Sequence, residues 1–136
     1  MNIQTPELPF LIGCPVWNCE AWGGSVYPNG TPKREWLKWY SQMFNTVEGN
    51  NSFYAIPEVG YARRWVRESA EGFRFCMKFP RAISHEMALI GAGSETRKFF
   101  SVLSVLADAG RLGPAFLQLG PNFGPPHLGS LEKYLR

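Results

Sequence analysis

The sequence predicts an α/β chain organised as a parallel, TIM-barrel-like (β/α) sheet, with only the first four βα units present: half a barrel. Three observations predict it. Short apolar runs alternate four times with segments of helical hydrophobic spacing. That alternation is satisfied by a doubly wound sheet or by a barrel; the runs start about 30 to 40 residues apart, so a barrel of eight units needs about 250 residues or more, and the chain has 136. The last helical pattern runs to Arg136 without a C-cap glycine or a proline stop. Residues 1–136 are therefore expected to form the N-terminal half of a single barrel domain.

Each unit has its own signals. Phe10-Leu11-Ile12-Gly13-Cys14 is a continuous apolar run, the pattern of a strand buried on both faces. Thr31-Pro32 offers an N-cap and a proline at the first helical position. Behind it Trp36, Leu37, Tyr40 and Phe44 recur at helical spacing. Asn45 to Tyr54 reads as the second strand and its exit. Pro57 opens a second helix, with Val59, Ala62, Trp65 and Val66 inward and Arg63, Arg64, Arg67 and Glu68 solvated. Phe73 to Phe79 is the third strand, closed by Pro80. After a long connection from Arg81 to Gly93, Ser94 caps a third helix carrying Phe99, Val102, Leu103 and Leu106. Ala115 to Leu119 is the fourth strand, and a last helix begins near Gly129.

Composition bounds the function. Hydrophobic residues make up 45% and charged residues 18%, which excludes a disordered chain. The net charge of +3 suits attraction of an anion but lacks the dense basic stripe of a dedicated nucleic-acid binder. No apolar run approaches the ~18 residues of a membrane span. Cys14, Cys19 and Cys76 form no CxxC pair, and the polar, proline-broken segment from Met1 to Pro9 does not read as a signal peptide. A cytoplasmic protein with reduced thiols, and no membrane partner, is the expectation.

Alternation along the strands selects the candidate residues, because side chains two apart share a face. Phe73, Phe75, Met77 and Phe79 should meet the helices, leaving Arg74, Cys76 and Lys78 opposite. By the same phase Val47 faces the helices and Glu48 and Asn50 do not. In the fourth strand Ala115, Leu117 and Leu119 are helix-facing, with Phe116 and Gln118 opposite. Glu48, Asn50, Lys78 and Gln118 thus gather on one interior face near the C-terminal strand ends, where sites in parallel α/β folds collect. One reading is an interior ion pair between Glu48 and Lys78. The other is a carboxylate and an amine held for proton transfer or ligand binding.

The loop after the third strand adds Arg81 and His85, making the rim electropositive and suited to a phosphate or carboxylate. His85 is a candidate acid or base, whereas His127, beside Pro125-Pro126, is assigned no role. Trp17, Trp22, Tyr27 and Tyr54 lie in the loops after the first two strands, placed either to stack on a planar or sugar ligand or to seal the mouth. No phosphate-binding GxxxxGK[ST], no GxGxxG after a strand and no GxSxG elbow occurs, and no metal-ligand spacing is recognised. The residues identify no cofactor.

Ile12-Gly13-Cys14-Pro15-Val16-Trp17, followed by Trp22 and Tyr27-Pro28, resembles the opening motif of the YecE-like proteins, known as domain of unknown function 72. Phe44 to Asn50 with Phe53-Tyr54 resembles the second motif, and Gly72 to Phe75 with Lys78 to Glu86 the third. Leu112-Gly113-Pro114 with Gln118 to Pro121 is similar to the fourth. Local departures are Asn51-Ser52, where the family commonly has threonines, and Gly120, where it often has proline. The resemblance implies a TIM-type barrel of which this chain is about half, and no established activity.

The leading functional expectation is an enzyme, of hydrolase or lyase type, or an enzyme-derived site, for a small anionic or phosphorylated ligand. Its catalytic candidates are Glu48, Lys78 and His85; its binding candidates are Asn50, Tyr54, Arg81, Gln118, Trp17 and Trp22. A nucleic-acid-binding module, with aromatic loops among Arg63, Arg64, Lys78 and Arg81, is the alternative. A non-catalytic fragment that self-associates or pairs with a missing C-terminal half is the third, because half a barrel exposes strand edges.

Overall fold

The structure, a computed structural model, describes residues 7–136; residues 1–6 of the polar opening segment lie outside it. Among the described residues, five α-helices and two strands follow in the order α1 (Trp36–Met43), β1 (Thr46–Gly49), α2 (Asn51–Tyr54), α3 (Val59–Glu68), β2 (Arg74–Met77), α4 (Gly93–Asp108) and α5 (Leu128–Leu135). β1 and β2 pair in parallel, with Thr46 opposite Arg74, Val47 opposite Phe75, Glu48 opposite Cys76 and Gly49 opposite Met77. The fold is mixed α/β around this small parallel sheet.

Among the described residues the sheet has two strands, and neither expected outer strand forms; residues 10–14 and 112–119 run beside the sheet without a continuous ladder. Residues 10–13 are exposed, not buried on both faces. Side chains take the place of a ladder here: Ile12 N–H donates to Asn45 Oδ1 at 2.7 Å, Asn45 Nδ2 to the Phe10 carbonyl at 2.8 Å, and Cys14 N–H to the Tyr40 hydroxyl at 2.6 Å. Glu48 N–H then donates to the Cys14 carbonyl at 3.1 Å, which ties the segment to β1. On the other side of β2, Leu112 and Phe116 bridge in parallel to Phe75 and Lys78. Gly113-Pro114 interrupts the run between them, since Pro114 has no N–H for a ladder. Pairing is therefore early and broken, instead of continuous over Ala115 to Leu119, and Ala115 is exposed where a helix-facing position was expected.

The helix-facing phase of the central strands holds. Val47, Phe73, Phe75 and Met77 are at most 1% exposed and join Leu37, Tyr40, Ala62, Trp65, Phe99, Val102 and Leu106 in the main core. Complete burial of one such large side chain contributes roughly 1.5–3 kcal/mol. A second cluster of Ile83, Leu89 and Ala92 receives Leu117, Leu119, Leu131 and Tyr134, so Leu117 and Leu119 do turn inward. Among the described residues, no helix is long and apolar enough to cross a membrane.

Helix starts differ from the expected caps. The Thr31 hydroxyl donates back to the Pro28 carbonyl, a 3₁₀ turn occupies Lys33–Glu35, and α1 begins only at Trp36. Ser94 lies inside α4, behind Ala92 at the cap position. The exit of β1 is one helical turn, α2, instead of extended chain. The buried Ser52 hydroxyl is shared there between the carbonyls of Lys78 (2.6 Å) and Gly49 (2.9 Å), locking the ends of β1 and β2 together. The connection after Pro80 is equally organised: a π-helical turn, Ala82–Glu86, leads into Ala88 (φ 46°) and Leu89 (φ 69°), two consecutive left-handed residues that are not glycine.

Candidate functional site

The alternation that buries Val47, Phe75 and Met77 leaves Glu48 exposed and Arg74, Cys76 and Lys78 part-buried on the opposite face. Glu48 pairs in register with Cys76, one step short of Lys78 along the sheet. Among the described residues, no ion pair joins Glu48 to Lys78. The Lys78 ammonium instead lies 4.3 Å from the ring centroid of Phe53 and 5.9 Å from that of Phe116. Both rings are set by neighbouring strand exits: Phe53 by the α2 turn that Ser52 anchors, and Phe116 by its backbone exchange with Met77 and Phe79. A ring face attracts an ammonium without neutralising it, so the charge stays available to a ligand.

His85 extends this group. Its ring meets Phe53 edge-on, with centroids 5.3 Å apart. Its Nδ1 lies 2.8 Å from the Ser84 hydroxyl, and Ser84 is buried. The Cδ2 edge of the imidazole rests against Gly120: a Cβ there would stand 3.3 Å from Cδ2 and 3.8 Å from Nε2. Two left-handed non-glycine residues, three and four positions beyond His85, show that the end of its turn is held by the surrounding packing rather than by local preference. The chemistry available is a cation and an imidazole on a common aromatic support, at the C-terminal end of the sheet.

The other expected residues are placed less centrally. Arg81 is exposed and its guanidinium Nε lies 3.7 Å from a Glu86 carboxylate oxygen, a weak surface pair. Asn50 Nδ2 donates to the Pro15 carbonyl at 3.2 Å and so braces the first segment against β1. Tyr54 is 80% exposed and touches Phe53 edge-on. Gln118 is exposed, two residues beyond Phe116. Trp22 stacks on Tyr40, and Trp17 meets Trp65 and Phe75 edge-on, so both carry core packing. Trp17 also lines a cavity of about 490 Å³ with Asn51, Tyr61 and Arg64.

Phe53 and Phe116 were not singled out from sequence, where each reads as one more apolar residue. The only available signal was phase for Phe116, which shares the face of Gln118. Burial pushes the phenol of Tyr40 well above its ordinary value, and that of Tyr27 upward as well. The Arg111 guanidinium is lowered by burial and then by nearby Arg74. Both arginines line a polar cavity at the opposite end of the sheet, at the start of β2. The three cysteines are free thiols, and no cluster of three or more metal-ligating side chains occurs among the described residues.

Comparison with known proteins places this geometry in a family. Residues 11–136 match the family model described as "Protein of unknown function DUF72". The UPF0759 protein YecE of Escherichia coli K12 is 38% identical over 124 residues, covering 91% of this chain and 42% of that protein. The UPF0759 protein YunF of Bacillus subtilis is 32% identical over 108 residues, covering 75% of this chain and 38% of that protein. Among solved structures, a DUF72 family protein from Enterococcus faecalis V583 superposes with a TM-score of 0.61 at 27% identity, over 71% of this chain and 41% of that one. The chain therefore spans less than half the length of these relatives. With the family model covering nearly all of its sequence, the chain belongs to the DUF72 family.

Proposed function

We propose that the rim at the ends of β1 and β2 binds a small anionic or phosphorylated ligand, with Lys78 as the charge that receives it. The observation that carries this reading is the Lys78 ammonium held against the faces of Phe53 and Phe116 instead of against a carboxylate. His85 on the same Phe53 ring supplies a proton donor or acceptor. Glu48, on the same face of the sheet, serves as an orienting carboxylate or general base, and Arg81 and Gln118 reach the ligand from the rim. A hydrolase- or lyase-like reaction is the class this set of groups suits. Titration of the protein with inorganic phosphate tests the site. Saturable binding that Lys78→Met weakens roughly tenfold or more supports it; equal binding by both proteins, or by neither, ends it.

We further infer that β1, β2 and the two segments flanking them are half of a β/α barrel completed by additional chain. The exposure of Phe10, Leu11 and Ile12 on the outer edge, at 58%, 48% and 49%, supports this. So does the chain's coverage of 42% of YecE. The part of YecE beyond the matched segment, supplied as a separate polypeptide, is expected to form a one-to-one complex with this chain by size-exclusion chromatography. A monomer that unfolds cooperatively and ignores that polypeptide would exclude the half-barrel reading, and a homodimer would assign the same edge to self-pairing.

A further inference from the structure

The chain has two histidines, 42 positions apart, and both line one cavity. The cavity encloses about 250 Å³ between the turn after β2 and the segment leading to α5, with Ser84, Gly120, Asn122 and Phe123 completing much of its wall. His85 is fixed by Ser84 and by the ring of Phe53. His127 is fixed by the turn it closes: Gly124 N–H donates to its Nδ1 at 3.1 Å, and the Phe123 ring lies 5.0 Å away, tilted by 31°. In both rings Nδ1 is the nitrogen that hydrogen-bonds to the described residues, and Nε2 is the one offered to a ligand.

The hydrogen bonds fix the His127 tautomer and, with the Ser84 hydroxyl directed to its backbone acceptor, give His85 the opposite one. Because His127 Nδ1 accepts an N–H, it holds a lone pair, and the proton of the neutral ring sits on Nε2. At His85 the reasoning runs through Ser84, whose hydroxyl donates to the Pro80 carbonyl at 3.2 Å. A hydroxyl has one proton to give. With that proton directed to the Pro80 carbonyl, the 2.8 Å contact with His85 Nδ1 has the imidazole as donor, which leaves the lone pair on His85 Nε2. One wall of the cavity therefore offers an acceptor and another offers a donor.

We propose that His85 and His127 form a complementary acceptor–donor pair that receives a phosphate group still carrying one proton. His127 Nε2–H and the Asn122 amide donate to its unprotonated oxygens, while His85 Nε2 accepts from its hydroxyl. A divalent metal fits this arrangement poorly. A ligating histidine presents a lone pair on the metal side and donates its other N–H to the protein, and His127 accepts at Nδ1 instead. The pair rests on the anion-site reading for the class of ligand, but it does not use Lys78.

Two-bond ¹⁵N–¹H NMR of the histidine rings, at a pH where both are neutral, reads the tautomers directly. We expect His85 protonated at Nδ1 and His127 at Nε2. Inorganic phosphate should then shift both rings with one shared dissociation constant. His127→Phe, which keeps an aromatic ring against Phe123 but has no N–H, should weaken phosphate roughly tenfold or more. Identical tautomers in the wild-type protein, or phosphate shifts confined to one ring or absent from both, overturn the pair. The Lys78→Met protein separates the two readings. If both rings still respond there with unchanged affinity, the pair stands and the Lys78-centred site falls. If Lys78→Met abolishes phosphate binding while wild-type phosphate leaves the rings unmoved, the reverse holds.

Discussion

The Lys78 ammonium lies 4.3 Å from the centre of the Phe53 ring, and the same ring carries His85 edge-on at 5.3 Å. Phe53 thus orients the cation and the imidazole that the sequence places 25 and 32 positions further along the chain. An exposed cation–π contact is worth about 0.5–1 kcal/mol. Phe53→Leu keeps the apolar bulk and loses the ring, so stability should fall by no more than about 1 kcal/mol. Phosphate affinity should fall severalfold, because both groups lose their support. Urea denaturation and calorimetric titration of the one variant measure the two quantities separately.

Ser52 provides a different kind of coupling. Its buried hydroxyl lies between the carbonyls of Lys78 and Gly49, at the ends of both strands. Ser52→Ala leaves those carbonyls without this donor, and an orphaned buried group costs about 1–3 kcal/mol. The expected result is a lower urea midpoint, together with weaker phosphate binding as α2 loosens. Unchanged binding at reduced stability would confine Ser52 to a structural role.

How far this was legible in the sequence follows from the range of the forces involved. Val47, Phe75 and Met77 could be assigned to the helix face because strand alternation is a local pattern. Glu48, Cys76 and Lys78 then fell opposite without further information. The first segment read as a buried strand because its apolar run has no local sign that Tyr40 and Asn45, some 26 to 35 residues away, supply its hydrogen bonds. The break at Gly113-Pro114 was visible as residues but not as a shift of pairing toward Leu112. His127 looked isolated for the same reason. Only the return of the chain past Gly120 brings it to the cavity that His85 lines.

Tyr40 should give the protein an alkaline limit. Its hydroxyl donates to the Thr46 carbonyl at 3.1 Å and accepts from Cys14 N–H, and burial holds its proton well above the ordinary phenol value of 10.0. A folded-state value above the unfolded one means that the contribution is complete below pH 10.0 and is lost as pH rises beyond it toward the folded value. Stability should therefore fall above that pH. Tyr40→Phe should remove this part of the fall while costing about 1–3 kcal/mol at neutral pH, since two backbone groups lose their partner. Chemical denaturation over a pH series compares the slopes.

The turn after His85 stores measurable strain. Ala88 sits at φ 46° and lines the cavity shared by the two histidines. The left-handed conformation costs an L-residue about 1–2 kcal/mol, whereas glycine enters it freely but loses about 0.5–1 kcal/mol through its more flexible unfolded state. Ala88→Gly should therefore raise stability by roughly 0.5–1 kcal/mol. A lower stability in denaturant would mean that the methyl group contributes more by packing than the backbone loses.

Two glycines make opposite demands on their surroundings, and comparing them tests the placement of the first segment and of His85 together. A Cβ at Gly13 would lie 2.0 Å from the Thr46 carbonyl oxygen, a backbone atom of β1 that cannot step aside. Gly13→Ala should therefore displace the segment from β1, break the Glu48 to Cys14 hydrogen bond and cost several kcal/mol, in the manner of other severe steric changes. A Cβ at Gly120 meets only the edge of a side chain, 3.3 Å from His85 Cδ2. That imidazole can give by a few tenths of an ångström, so Gly120→Ala should leave stability within about 1 kcal/mol. Its effect should appear instead in the His85 ring resonances and in phosphate affinity. Equal, small stability losses in the two variants would show that residues 10–14 do not run against β1 as described, because only that close approach makes Gly13 indispensable.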